Sequence, residues 1–283
     1  MSCPGRSNLV RRSRSRQRLP NVISLVLPAY NPGSAVERTW HEVREFFQTR
    51  DDSWEAIFVC DGCTDDSPER LQRLSDDTND PRMRFVAYSP NRGKGYAVRT
   101  GLQAAHGQYR IFTDVDLAYR FEDIARVAEE LLCGAQVAIA SRAHTDSEML
   151  LPVRCLGYAY RRRMQSAVFG KAARVLLSLR QRDTQAGLKG MTADVAHRLL
   201  PEMTCDGFGF DCELLTACRV AAIPVTEVPV RVRYEDGVST TGSGTVVKML
   251  RELWRIRREW RGRIVPVLAP KRDAAPEPTR KAA

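Results

Sequence analysis

Two aspartates one residue apart, Asp114 and Asp116, end an apolar run that starts at Ile111-Phe112. In an extended backbone residues i and i+2 leave the same face, so the pair would present two carboxylates side by side. Such charges repel unless a cation sits between them. An oxygen-only cluster suits a hard divalent ion, which takes one or two carboxylates together with substrate phosphates. A metal–diphosphate contact is therefore the chemistry to expect, and the competing one is a pair of solvated acids before a turn. Other polar groups stand at comparable places. Tyr30 and Asn31 follow Val22–Leu27, Asp61 follows Glu55–Cys60, and Ser141-Arg142 follows Ala135–Ala140. Lys94 lies between two glycines at a helix start, a setting that suits an anion. Asp211 and Glu213 open a later helix, where the dipole favours acids whatever their chemistry. His41, His106, His144 and His197 have no ligand spacing, and Cys60-x-x-Cys63 lacks the second pair that a zinc site needs.

The elements that must position these groups alternate. Val22–Leu27 is a buried-type strand stopped by Pro28, and Ser34 caps a helix to about Thr49. Strands follow at Glu55–Cys60, Met83–Tyr88, the segment carrying Asp114/Asp116, and Ala135–Ser141. Helices lie between them: one ending near Leu74, then Tyr96–His106 and Phe121–Leu132. This order predicts an α/β fold, a mostly parallel sheet with helices on both faces. In such sheets ligands bind outside the carboxyl ends of the strands, where Tyr30/Asn31, Asp61, Asp114/Asp116 and Ser141/Arg142 fall.

Past Arg142 the pattern changes. A long basic helical stretch covers 153–180, a helix follows Thr192, and the turn Gly207–Phe210 leads into a helix through Leu215. Val225–Tyr234 alternates like an exposed strand. Val246–Arg261 predicts an amphipathic helix, with Val246, Leu250, Leu253, Trp254 and Trp260 opposite Lys248, Arg251, Arg255, Arg258 and Arg261. Residues 1–20 predict a disordered basic arm holding six of the ten excess positive charges, and 264–283 a loose tail. No apolar run approaches the roughly 20 residues of a membrane-spanning helix. The basic amphipathic segments 153–180 and 246–263 suit helices lying on anionic lipid. The eight scattered cysteines are those of a reduced, cytosolic chain. Nucleic acid is not an expected partner, because the strand-end acids would repel it.

Several stretches in order resemble glycosyltransferase family 2. Leu27-Pro28-Ala29-Tyr30-Asn31 is similar to its opening motif, and Val59–Ser67 to its nucleotide loop. Asn91-Arg92-Gly93-Lys94-Gly95-Tyr96-Ala97 resembles its helix start, and Asp114-Val115-Asp116 its paired acids. Ala140-Ser141-Arg142, Asp183–Lys189 and Phe210–Leu215 resemble the polyprenyl-phosphate hexose synthase branch. The resemblance covers about 22–262 and implies a GT-A, Rossmann-like domain over 21–263, with C-terminal amphipathic helices. Residues 21–142 would form its nucleotide-sugar half and 143–263 its acceptor half. Pro28, Tyr30, Asn31 and Asp61 would then hold the nucleotide, Asp61 accepting the N–H of the base. Lys94 would contact the donor, and Asp114, Val115 and Asp116 would bind ribose and a Mg²⁺ or Mn²⁺ ion on the diphosphate. Arg142 would meet phosphate, and Asp211 or Glu213 supplies a candidate general base, Asp211 being the preferred one. Cys60 and Cys63 depart from the family's Asp and Ser, and the loop 237–244 lacks the family's lysine.

The expectation is thus a metal-dependent inverting transferase. It would move a hexose from UDP-glucose or GDP-mannose to a polyprenyl or dolichyl phosphate, peripherally on the cytoplasmic membrane face. A partner subunit supplying membrane anchoring is left open. The rivals are a soluble family 2 enzyme with a hydroxyl acceptor and Asp211 as base, and a basic lipid- or RNA-binding protein. A sugar-1-phosphate nucleotidyltransferase would carry a Gly-rich loop after the first strand, and Pro28-Ala29-Tyr30-Asn31 is not one.

Overall fold

Val22–Ala29 (β1) and Ser53–Asp61 (β2) are nearly continuous apolar runs because helices cover both faces of the sheet they enter. The computed structural model describes residues 22–50, 52–150, 169–233 and 243–265. The arm 1–20, most of 153–180 and most of the loop 237–244 lie outside them, as does nearly all of the tail 264–283. The other strands of the main sheet are β3 (Met83–Tyr88), β4 (Tyr109–Phe112), β5 (Val137–Ser141), β7 (Lys189–Thr192) and β8 (Val225–Pro229). Their order is β3-β2-β1-β4-β7-β5-β8, parallel except that β7 runs antiparallel to both β4 and β5. The strands β6 (Glu148–Leu150) and β9 (Arg231–Arg233) pair in a separate two-stranded sheet.

Alternation along β1 sorts the core into two layers. Ile23, Leu25 and Leu27 meet α1 (Ala35–Gln48), α2 (Ser67–Thr78) and α4 (Phe121–Leu132). Val26 points the other way with Ile57, Val59, Phe112 and Met191, towards α3 (Lys94–Ala104), a helix α5 over 169–177, and α6 (Ala193–Leu199). The helices α7 (Phe210–Val220) and α8 (Ser243–Trp260) complete that layer. In α1 the buried residues Val36, Thr39, Trp40, Val43 and Phe47 keep the helical spacing of one stripe. β7 and β8, which follow residue 142, belong to the same sheet as β1–β5.

The departures from the sequence pattern have local causes. Pro28 lies inside β1 rather than stopping it. Val26 O, on the same edge, accepts from Thr113 N–H, and β4 has ended at Phe112, so the missing Pro28 N–H faces no ladder partner. Helix α3 begins at Lys94, two residues early, because the Asp206 carbonyl accepts the Gly95 and Tyr96 N–H groups at 2.8 and 3.2 Å. Ser34 makes no side-chain cap bond; the neighbouring Gly33 N–H is bound by Asp65 and Ser67 instead. Val225–Tyr234, described as far as Arg233, divides at Val230: Val225–Pro229 joins the main sheet and Arg231–Arg233 pairs with β6. Trp254 does not join the apolar stripe of α8: Met249, Leu253, Ile256 and Trp260 are buried, while Trp254 is 61% exposed.

At the amino end of the sheet Glu55, 6% exposed, gathers three segments. It accepts Ser24 Oγ and His106 N–H, both at 2.6 Å, and Arg84 Nη1 at 2.7 Å. Burial alone would raise its pKa, but these donors outweigh burial and hold it below its ordinary value. Its contribution is then complete above the unfolded value of about 4.3 and disappears as pH falls through the lower folded one. Glu55→Gln should lower stability at neutral pH by about 1–3 kcal/mol, a drop of several degrees in Tm. The gap from the unsubstituted protein should close below pH ~4 in thermal melts; a gap independent of pH would contradict this role.

Candidate active site

The carboxyl ends of β1, β2, β4 and β5 line one rim, and antiparallel β7 delivers its amino end there, with Lys189 opposite Phe112. The acid pair lies in the turn just after β4 rather than on the strand. Leu117 N–H closes that turn on Asp114 O at 3.1 Å, and Thr39 of α1 pins it by donating to Val115 O at 2.7 Å. Lys94 Nζ lies 2.5 Å from Asp114 Oδ1. Burial would lower the Lys94 pKa, but Asp114 and Asp211 outweigh it and raise it, so Lys94 is a fixed cation. The surrounding protein and the Asp114 charge push the Asp116 carboxyl up. Gly187 is buried against Asp114: a Cβ there would lie 2.5 Å from Asp114 Oδ2. The backbone N–H groups of the α3 N-terminus are less available than its sequence suggests, because Asp206 O takes two of them.

Asp61, at the end of β2, is 3% exposed and surrounded by donors. Its Oδ1 accepts Tyr88 Oη at 3.0 Å and Arg92 N–H at 2.8 Å; its Oδ2 accepts Asn91 Nδ2 at 3.0 Å and Gly93 N–H at 2.9 Å. It therefore folds the loop 89–93 that presents Lys94, with two donors on each of its oxygens. Gly62 beside it has φ +61, and a Cβ there would collide with the Asn91 backbone. Pro28 is buried, Tyr30 is 58% exposed at the rim, and Asn31 exchanges bonds with Thr64, its Oδ1 accepting Thr64 N–H at 2.8 Å.

Arg142, after β5, forms a two-pronged pair with Asp183: Nε to Oδ2 at 2.7 Å and Nη2 to Oδ1 at 3.0 Å, with its own N–H on Oδ2. Burial alone would raise the Asp183 carboxyl, but Arg142 holds it below the usual carboxylate range. Tyr119 lies near this pair and Asp114; burial, with both acids close, pushes its hydroxyl up to about 12. Asp211 is buried, and its Oδ1 accepts the fully buried Lys189 ammonium at 2.7 Å. That makes it the counter-charge of Lys189. Glu213 does not reach the rim. It accepts Thr204 N–H, Cys205 N–H and Trp260 Nε1, which joins α7 to α8.

The geometry thus brings Lys94, Asp114, Asp116, Gly187, Lys189 and Asp211 together, with Arg142, Asp183 and Tyr119 beside them. Residues 24–197 match the model of the family described as glycosyl transferase family 2. The chain belongs to glycosyl transferase family 2. The chain is 28% identical over 255 residues to the dolichyl-phosphate beta-glucosyltransferase of Saccharomyces cerevisiae, covering 83% of this chain and 74% of that protein. The Drosophila melanogaster enzyme of the same name is 29% identical over 245 residues, with the same two coverages. Glycosyltransferase AglD of Haloferax volcanii is 28% identical over 214 residues, 74% of this chain and 32% of that one. The fold is that of solved glucosyl-3-phosphoglycerate synthase from Mycobacterium tuberculosis, in complex with Mn²⁺, UDP and glucosyl-3-phosphoglycerate. That likeness has a TM-score of 0.58 at 19% identity and covers 84% of this chain and 80% of that one.

Among the described residues no three His, Cys, Asp or Glu side chains cluster as a self-sufficient metal site. A glycosyltransferase whose nucleotide brings phosphate oxygens does not need one. The all-oxygen pair Asp114/Asp116, with the Asp116 carboxyl pushed up by burial and then by the Asp114 charge, fits a hard divalent ion completed by substrate and water. The sequence had marked the acids, Lys94 and Arg142. It had assigned no role to Tyr119, Asp183, Gly187 or Lys189, and the run Asp183–Lys189 was the one available signal for the last three. Gly187→Ala should fold and lose at least about tenfold in nucleotide-sugar affinity by calorimetric titration, because its Cβ displaces Asp114. Unchanged affinity would show that Asp114 is not held for the donor.

Proposed function

We propose that this family 2 enzyme transfers glucose from UDP-glucose to a polyprenyl phosphate of the dolichyl type, with inversion. It would act peripherally, at the cytoplasmic face of a membrane. The observation that carries the reading is the turn Asp114–Asp116 set against Lys94 at the sheet rim. It occurs in a chain aligned over most of its length with dolichyl-phosphate glucosyltransferases. Lys94 sits where charge develops on a departing nucleoside diphosphate, and a preorganised cation stabilises that charge without reorganising. A Mg²⁺ or Mn²⁺ ion held by Asp114 and Asp116 would neutralise the same diphosphate. Tyr30 and the Asn31–Thr64 clasp form the wall for the nucleoside, and Asp61 keeps the loop 89–93 in place behind it. Arg142, held by Asp183, would receive the acceptor phosphate. A phosphate monoester is already ionised at neutral pH, so attack needs no general base, which agrees with Asp211 being paired to Lys189.

Melting the protein with UDP-glucose, GDP-mannose, UDP or GDP, each with and without Mn²⁺, tests the donor side. A ligand at a hundred times its Kd adds about 2.7 kcal/mol, a rise of several degrees. The uridine ligands should give this rise only with metal, and Asp116→Ala should abolish it. Transfer of labelled glucose to polyprenyl phosphate in detergent extracts then tests the acceptor. Stabilisation by guanosine ligands alone would overturn the glucose assignment, and no stabilisation by any of the four would overturn the donor site.

A further inference from the structure

We propose that the outward side of α8 is a docking surface for the anionic headgroups of a lipid bilayer. The inference rests on the polyprenyl-phosphate reading above and names the surface that would bring the enzyme to that acceptor. Arg251, Arg255, Arg258 and Arg261 follow one another at spacings of four, three and three, and Trp254 lies three residues after Arg251 and four before Arg258, which groups them on one side of the helix and the turn after it. All five are exposed. The opposite stripe, Met249, Leu253, Ile256 and Trp260, is buried, so the core has no place for Trp254 and leaves it 61% exposed. Ile264, just after the helix, is 91% exposed.

Of this face, the two acids of the exit half of the helix bear on Arg255. Glu252 turns inward and accepts Gly209 N–H at 2.8 Å. Glu259 accepts Thr204 Oγ1 at 2.6 Å and reaches only Arg255, at 3.9 Å. Arg251, Arg258 and Arg261 have no carboxylate partner among the described residues. A row of guanidinium groups offers paired donors to phosphate, and an exposed indole among them has the amphipathic character that settles at headgroup depth. Single-stranded RNA would also present phosphates and stacking faces. The isolated tryptophan, the exposed isoleucine and a lipid-linked acceptor favour the bilayer. Among the described residues no helix is long and apolar enough to cross a membrane, so adsorption through this face is the mode the geometry offers.

The test sediments the full chain with vesicles of phosphatidylcholine alone and of equal parts phosphatidylcholine and phosphatidylserine. Binding to the anionic vesicles only, weakened by added salt, is expected. Arg251→Gln/Arg258→Gln/Arg261→Gln should lose roughly 100-fold in partition, and Trp254→Ala several-fold, with unchanged melting curves. Both variants should transfer glucose to a short-chain polyprenyl phosphate in detergent at the unsubstituted rate, because neither touches the rim. Equal partition to neutral vesicles, an unaffected triple variant, or tighter binding to single-stranded RNA than to anionic vesicles at physiological salt would each overturn the proposal. Transfer in detergent without vesicle binding would overturn the surface alone. Vesicle binding through these residues without any transfer to polyprenyl phosphate would overturn the acceptor reading and leave the surface standing.

Discussion

Two carboxylates within one turn are electrostatically costly, and the answer to that cost at Asp114 and Asp116 is a single lysine whose position depends on much of the chain. Lys94 is the first residue of α3, so its ammonium goes where the start of α3 goes. That start is fixed from two sides. Asp61 gathers the loop 89–93 in front of it, and the Asp206 carbonyl takes the N–H groups of Gly95 and Tyr96. The loop holding Asp206 is fastened in turn to α8, where Glu252 accepts Gly209 N–H and lies close against Gly207. A helix near the end of the described chain therefore helps set the charge balance of a turn more than a hundred residues before it.

The antiparallel course of β7 explains the other half of the site. In a purely parallel sheet the carboxyl end of each strand would feed the rim. β7 instead starts at the rim, so the loop before it, 183–188, is the part that arrives there. Asp183 meets Arg142, Gly187 closes on Asp114, and Lys189 turns back on Asp211 within seven residues of chain. The Lys189–Asp211 pair is almost fully buried, so each charge requires the other: removing either partner would leave an uncompensated charge beside Phe112 and the rim.

How much of this was legible in the sequence follows from which forces act locally. Strands with both faces covered are continuous apolar runs, and Met83–Tyr88 and Phe121–Leu132 have the bounds that periodicity gives. The DxD acids, Lys94 and Arg142 were visible because each follows a strand or opens a helix. β7 was not visible as a strand: four residues with one glycine and a lysine carry no alternation, and tertiary pairing on both edges makes the strand. Trp254 was misplaced because a tryptophan counts as apolar in any periodic pattern. Burial of Trp260, whose Nε1 reaches Glu213, decides which of the two indoles is inside. The partners of Asp61 were equally hidden, since they come from a loop thirty residues further on.

The acids of this chain separate by the number of donors that reach them, and that number is a property of the fold rather than of the residue type. Asp61 is met by four donors and Glu213 by backbone N–H groups and an indole, so both are saturated and serve to hold segments together. Asp183 and Asp211 each answer one cation and thereby fix its direction. Asp114 and Asp116 share Lys94 and one backbone N–H between them, and they remain the carboxylates at the rim with acceptor capacity to spare. A ligand bringing its own negative charge, such as a nucleoside diphosphate, can approach them only together with a cation, so the same scarcity of donors that marks the site also selects what it can hold.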